Sequence, residues 1–338
     1  MLLNPSQARA LYEFATRHQF AILAVNADSP AAVLDVLEAA RSRNAPIIVE
    51  TSLWQLKGHS FGFGDPLLGL ARYLADLAVL ADSERYRDTP VIYHTDHIKG
   101  PDTKSILQAA IRGIETKIGA QSCRLIASSV SLDSSELTPE ANIALMRALC
   151  ETADERGEKA TLEMEAGVDQ GVTPLEDTEK VFGSVEQSHP GHLALWAPGV
   201  GTLHGFGSGN RVDPEAIARH QALATKICNR PIGLALHGSS GLTNEALTEA
   251  VAAGTVKVNW SSESLLIRSQ AARHYYAEHT SQLERHHAEF KQTAMDNGVQ
   301  THIATQYLPL VAERIDLLGG RDQGARFIAS LKTTKTDG

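Results

Sequence analysis

Val91-Ile92-Tyr93-His94-Thr95-Asp96-His97 decides how the rest of the chain is read. Three apolar or aromatic residues suited to a buried strand run into two histidines and a carboxylate, proton-transfer and metal-ligand chemistry placed where a strand ends. Side chains alternate along a strand, so Asp96 and His97 leave it on different sides, yet both can face a cleft above its end. The stretch therefore predicts a strand whose C-terminal end borders a functional site. A strand-end histidine is also a common structural residue, so matching chemistry has to come from other strand ends.

The same beat recurs on both sides of this stretch. Upstream, residues 20–25 form an apolar run closed by Asn26, Ser29-Pro30 opens an amphipathic segment to about 43, and residues 46–50 form a second run ending in Thr51-Ser52. A serine cap followed by proline in the first turn is a helix start. Helical spacing covers 67–80 and 102–114, a fourth strand region spans 125–132 and ends in Asp133-Ser134-Ser135, and Thr138-Pro139-Glu140 caps a helix to about 156. Strands are predicted at 160–165, 193–197, 232–236 and 256–258, and helices at 214–227 and 244–253, with 198–209 a glycine-rich loop holding His204. Eight strand and helix alternations favour an α/β chain closed into a parallel (β/α)₈ TIM barrel over an open doubly wound sheet. We expect one domain: a barrel over about 18–265, a helical C-terminal extension over about 266–331, and frayed residues at 332–338.

Composition narrows the function. The chain has 338 residues, 43% of them hydrophobic, enough for a large core. Its formal charge of -9, from 40 acidic against 31 basic residues, argues against nucleic acid or an anionic membrane as the main partner. Three scattered cysteines, Cys123, Cys150 and Cys228, fit reduced thiols in a cytoplasm better than a disulfide framework. No stretch reaches membrane-spanning length.

In a barrel of this kind the site lies at the C-terminal ends of the strands. The residues just past the apolar runs are Asn26, Ser52, Asp96 with His97, Asp133 with Ser135, Glu163 and Glu165, His204, His237, and Asn259 with Ser261 and Ser262. Three histidines beside carboxylates favour a site for Zn²⁺ or another divalent ion of similar ligand taste. Gly205 and the run Gly238-Ser239-Ser240-Gly241, leading towards a helix, can cradle an anion such as phosphate, or serve as a plain turn. Asp133 and Glu165 also have ordinary uses as helix caps or ion-pair partners.

Taken together, His94-Thr95-Asp96-His97, the run 129–135 with Asn142 beyond it, Glu163-Met164-Glu165, Thr202-Leu203-His204-Gly205, Leu236-His237-Gly238-Ser239-Ser240-Gly241 and Val256-Lys257-Val258-Asn259 resemble the class II, metal-dependent fructose-bisphosphate aldolases and their tagatose-bisphosphate relatives. The resemblance runs from about Phe20 to Leu265. It implies a barrel in which His97, His204 and His237 ligate zinc, Asp96 is the catalytic acid/base, and Asp133 and Glu165 serve a second metal position. It also implies that Gly205, Gly238, Ser239, Ser240, Ser261 and Ser262 lie in the phosphate-binding segments, with a monovalent cation nearby, while Asn259, Asn26 and Ser52 line the substrate pocket. The implied reaction is cleavage of a ketose 1-phosphate or ketose bisphosphate to dihydroxyacetone phosphate and an aldehyde, in glycolysis or related carbohydrate metabolism, by a homodimer or homotetramer. A binding protein on the same barrel, or an aldolase for a singly phosphorylated, sulfonated or unphosphorylated sugar, stays open. This chain has Gly207 and Ser208 where the family commonly has a lysine, Ser261 in place of an aspartate, and no Asp-Pro-Arg before the terminal helix. Each fixed cation lost is a charge-assisted pair worth about 1.5–3 kcal/mol. The mobile acidic loop after Glu165 is short here, with Asp169 its only carboxylate and Glu176 or Asp177 as substitutes.

Overall fold

In the computed structural model, which describes residues 1–206 and 209–333, the strands in chain order are β1 (Ile22–Asn26), β2 (Ile47–Thr51), β3 (Val91–Thr95), β4 (Ile114–Ile118), β5 (Gln121–Leu125), β6 (Ser129–Val130), β7 (Leu162–Ala166), β8 (Leu193–Pro198), β9 (Gly233–Leu236) and β10 (Thr255–Trp260). All except β4 and β5 pair in parallel and close in the order β1-β2-β3-β6-β7-β8-β9-β10, a (β/α)₈ barrel. The helices between them start where the sequence marks them. Ser29, Thr138 and Asp213 each accept a backbone N–H from three residues on, with Pro30, Pro139 and Pro214 in the first turn.

Register sets what the barrel encloses. Asn26 pairs with Glu50 and Glu50 with His94, so the inward side chains of three neighbouring strands stand at one level. Inside, the lower half is apolar: Ile22, Ala24, Ile48, Ile92 and Ala235 pack on Ala8, Leu11, Tyr12 and Ala15 of an N-terminal helix, Pro5–His18. That helix plugs the N-terminal end of the barrel, and the sequence reading did not assign it. The upper half of the interior is polar.

Two corrections concern the segment after β3. The barrel's fourth strand is only Ser129–Val130, and the residues before it form an antiparallel hairpin of β4 and β5 outside the barrel. The predicted strand at 125–132 thus contains the end of one element and the whole of another. Gly119, at φ +62°, makes the hairpin turn. Between β7 and β8, short helical segments over Leu175–Asp177, Thr178–Gly183 and Ser184–Ser188 supply the crossover.

The longer tail helices after β10 are Ser262–Glu278, Asp296–Leu317 and Gln323–Thr333. The second packs against the helix Pro30–Ser42 and β1, and Tyr307 stacks on Trp260 with ring centroids 5.9 Å apart. Residues 332 and 333, expected to fray, continue the last helix. The remaining residues of that expectation, 334–338, lie outside the described residues. Among the described residues no helix is long and apolar enough to cross a membrane.

Candidate active site and metal centre

Four side chains with no solvent exposure form a charged floor across the middle of the barrel: Glu50, His94, Glu163 and Lys257. The Lys257 ammonium lies 3.3 Å from Glu50 Oε2 and 3.1 Å from Glu163 Oε2, and donates to Asn259 Oδ1 at 2.6 Å. His94 Nδ1 meets Ser129 Oγ at 2.5 Å. Burial works against the Lys257 charge, but Glu163, Glu50 and Asp96 outweigh it and raise its pKa, keeping it protonated and unfit as a Schiff-base nucleophile. One ammonium faces two carboxylates, and burial, reinforced by Asp96, pushes Glu50 up to about 8.

Asp96 stands directly above this floor, and both its oxygens are held. Asn26 Nδ2 donates to Oδ2 and Asn259 Nδ2 to Oδ1, each at 3.0 Å. Burial would raise this carboxyl, but the positive charges of His97 and Lys257 win and hold it at about 2. Lys257 orients the Asn259 amide, and the amide in turn orients Asp96.

His97 follows on a left-handed backbone, φ +47°, a strained conformation for a non-glycine residue that turns its ring over the barrel mouth. Its Nε2 lies 3.2 Å from His237 Nδ1, and the His204 ring centroid is 4.5 Å from its own. Each of the three imidazoles has a carboxylate near its other nitrogen. Asp133 Oδ2 is 3.6 Å from His97 Nδ1, Asp169 Oδ2 is 2.7 Å from His204 Nδ1, and Glu163 Oε1 is 2.8 Å from His237 Nε2. This is how ligating histidines are fixed in one tautomer and aimed.

The donor set fits a divalent ion. One ring atom from each of His97, His204 and His237 lies within 4.8 Å of the others, and His97, Asp133 and Glu165 form a second group on the same criterion. Two ligands at tetrahedral zinc distances stand about 3.3 Å apart, close to the His97–His237 separation. Glu165 Oε2 is buried with no hydrogen-bond partner, 3.8 Å from His237 Nε2. Against burial, the surrounding carboxylates raise His97 to about 10, while burial keeps His237 well below its ordinary value and lifts Glu165 to about 8. The pocket's acidic groups call for positive charge where the rings converge.

Above the rings lies a cavity of about 780 Å³. Asn26, Ser52, Asp96, His97, Asp133, Glu165, His204, Gly205, Gly238, Ser239, Ser240, Asn259, Ser261 and Ser262 all line it, and His237 sits just beneath. Their roles differ in detail. Ser52 caps the short helix Leu53–Lys57, with its hydroxyl against Gln55. The Ser239 hydroxyl donates to the Asn259 carbonyl, and that of Ser240 accepts from the Glu263 N–H at 3.2 Å. The loop's carbonyls are tied outside: Asn210 donates to Gly238 O and Ser240 O, and Arg314 to Ser239 O. In a planar trans peptide that sends the N–H of the same unit the opposite way. Gly238, at φ +66°, has no room for a side chain, since a Cβ would stand 2.6 Å from Leu203 O.

Of the loop carboxylates, Asp169 reaches the site through His204, whereas Glu176 and Asp177 sit on the helical turn Leu175–Asp177 and do not line the cavity. Gly207 and Ser208 lie outside the described residues. The sequence reading missed Trp54, Lys57 and Lys99 on the cavity wall and Glu50 in the floor, and it set His94 with the chemistry at the strand end, whereas the His94 ring is fully buried in the floor. Only the floor left a signal: single charged or polar residues inside otherwise apolar strands.

A family profile described as "Fructose-bisphosphate aldolase class-II" matches residues 6–308. The chain is 30% identical over 280 residues to a fructose-bisphosphate aldolase of Candida albicans, covering 75% of this chain and 76% of that one. It is 29% identical over 283 residues to fructose-bisphosphate aldolase 1 of Paracoccidioides lutzii, covering 75% of each. In fold it is similar to the fructose-bisphosphate aldolase of Campylobacter jejuni, with a TM-score of 0.78 at 21% identity over 95% of this chain and 96% of that one. The YdjI aldolase of Escherichia coli K12 matches with a TM-score of 0.67 at 18% identity, over 96% of this chain and 100% of that one.

Proposed function

We infer the reaction from one premise: the chain belongs to the class II fructose-bisphosphate aldolase family and is an aldolase, a carbon–carbon lyase of carbohydrate metabolism. The reaction we propose is reversible cleavage of a ketose 1-phosphate or ketose bisphosphate to dihydroxyacetone phosphate and an aldehyde. His97, His204 and His237 hold a divalent ion, zinc in our reading. When bound, such an ion supplies Lewis acidity towards the ketose carbonyl oxygen.

The chain's own residues do the rest. Asp96 takes the proton of the C4 hydroxyl as the C3–C4 bond breaks and C4 becomes the aldehyde. C3 gains a proton from solvent to complete dihydroxyacetone phosphate, Asp96 sheds its own to solvent, and condensation runs these steps in reverse. A carboxylate has about four acceptor positions, so the two amides that hold Asp96 still leave it room for that proton. Asn26 and Asn259 keep it aimed, and Asp169, Glu163 and Asp133 keep the rings aimed. Backbone N–H groups of Ser239, Ser240 and Gly241, with Gly205 beside them, receive the phosphate, and a monovalent cation accompanies it in our reading.

One observation carries this reading: three imidazoles converge beside a buried, doubly anchored aspartate under a cavity of about 780 Å³. A second reading, an acceptor half that is not a phosphate, is favoured by the wall opposite. The lining includes the apolar Leu53, Trp54 and Val168 and, among the described residues, no arginine, and of its two lysines Lys99 is already paired with Asp133 and Glu136. The acidic chain and three free cysteines support a cytoplasmic enzyme, and the family resemblance supports a homodimer or homotetramer. The test is a panel of ketose phosphates and non-phosphorylated ketoses, assayed for triose release with and without chelator. Turnover unchanged by complete metal removal overturns the metal assignment, and release of inorganic phosphate without triose overturns the aldol chemistry.

A further inference from the structure

The tail carries a cluster that the aldolase site does not use. His274 and Glu278 lie one turn apart on the helix Ser262–Glu278, with His274 Nε2 and Glu278 Oε1 3.3 Å apart. Across from them His302, on the separate helix Asp296–Leu317, brings its ring centroid to 5.7 Å from that of His274. One ligand atom from each of the three lies within 4.8 Å of the others. We propose that His274, Glu278 and His302 form a second divalent transition-metal site, a structural one that ties the first tail helix to the second.

Three features carry it. An i,i+4 histidine–glutamate pair alone is an ordinary exposed ion pair, but a second imidazole arriving from another helix is what turns a pair into a ligand set. The separation within the pair matches the spacing of about 3.3 Å that two tetrahedral zinc ligands require, the same yardstick that the His97–His237 pair meets. The His274 and Glu278 side chains are 59% and 52% exposed, so they can swing to bring the third ligand into range. Behind the cluster, Tyr275 packs on His302 with centroids 5.5 Å apart, and the Gln306 side-chain amide, 2.9 Å from His302 Nε2, leaves Nδ1 free to ligate once it turns its carbonyl oxygen to accept from Nε2–H.

Two imidazoles and one carboxylate select borderline ions such as Zn²⁺, Ni²⁺ or Cu²⁺ over Ca²⁺ or Mg²⁺, which prefer all-oxygen shells. The chain between the two helices, residues 279–295, has only a short 3₁₀ segment and a five-residue helix of its own. A cation bridging the helices would fasten the two ends of that segment.

The test is zinc stoichiometry on full-length protein stripped by chelator and dialysed back. We expect two equivalents per chain for the wild type, one for His274→Ala/His302→Ala, and one for His97→Ala, which keeps the tail site alone. Ketose cleavage by the tail variant should equal that of the wild type, which separates this proposal from the aldolase reading. In the His97→Ala background, zinc should raise the melting temperature, and adding Glu278→Gln should abolish most of that rise. A tail variant that binds as much zinc as the wild type overturns the proposal, as does a wild type with a single equivalent.

Discussion

Beneath the cavity, Glu50, His94, Glu163 and Lys257 stand on strands and are sealed from water; around its mouth, His97, Asp169 and His204 stand on loops with 23%, 43% and 37% of their side-chain surface exposed. The two layers use the same residue types for different ends. In the floor, each charge is fixed by the register of a barrel strand, so geometry costs nothing further to maintain but every charge must be answered. At the mouth, positions depend on loop backbone, and His97 and Asp169 both hold left-handed φ values to get there, +47° and +65°. The floor therefore governs whether the barrel stands and how Asp96 is aimed, while the mouth governs what is bound.

The sharpest way to break that division is His97→Ala, expected to lower turnover by about 10³-fold or more by removing a ligand, while lowering the melting temperature of the metal-free protein less than a floor variant does. Lys257→Met attacks the floor. It strands two buried carboxylates, and should cost about 3–5 kcal/mol in urea unfolding, with a smaller loss when Glu163→Gln is added. Asp169→Asn should weaken zinc binding about 10- to 100-fold in competition with a chromophoric chelator, without a measurable stability change, because it only aims His204.

The mildest test is pH. The Glu50 pKa is raised to about 8 in the folded protein, so between its unfolded value and about 8 the folded state binds the extra proton. Stability from this group is then fully present at low pH and falls as pH rises through that window. Glu50→Gln should gain on the wild type from pH 5 to pH 8 in thermal melts of the metal-free protein. A gap that stays constant with pH would mean that Lys257 keeps Glu50 ionised throughout.

Much of the mouth was legible in the sequence because strand ends in a barrel converge, so reading off the residue after each apolar run returned the cavity's lining. The floor was not assigned. Glu50 reads as a lone polar residue and His94, Glu163 and Lys257 only as parts of strand-end motifs, and which carboxylate meets which ammonium depends on strand neighbours that sequence spacing does not reveal. The hairpin of β4 and β5 blurred the fourth strand because Gln121–Leu125 has strand character of its own and runs almost directly into Ser129–Val130. The N-terminal helix was missed although its signals were present. Ala8, Leu11, Tyr12 and Ala15 follow helical spacing, and Asn4 with Gln7 makes a capping box ahead of Pro5.

That helix has a consequence for how the chain is made. Its apolar face is covered by Ala194, Leu195, Ala235 and Val256, residues that leave the ribosome roughly two hundred positions later. During synthesis β1 to β3 can cover only part of that face, and the rest stays greasy side outward until β10 emerges and the barrel has an end to stopper. Contacts so distant in sequence close slowly, so the nascent chain is most prone to clumping or to capture by a chaperone in that interval.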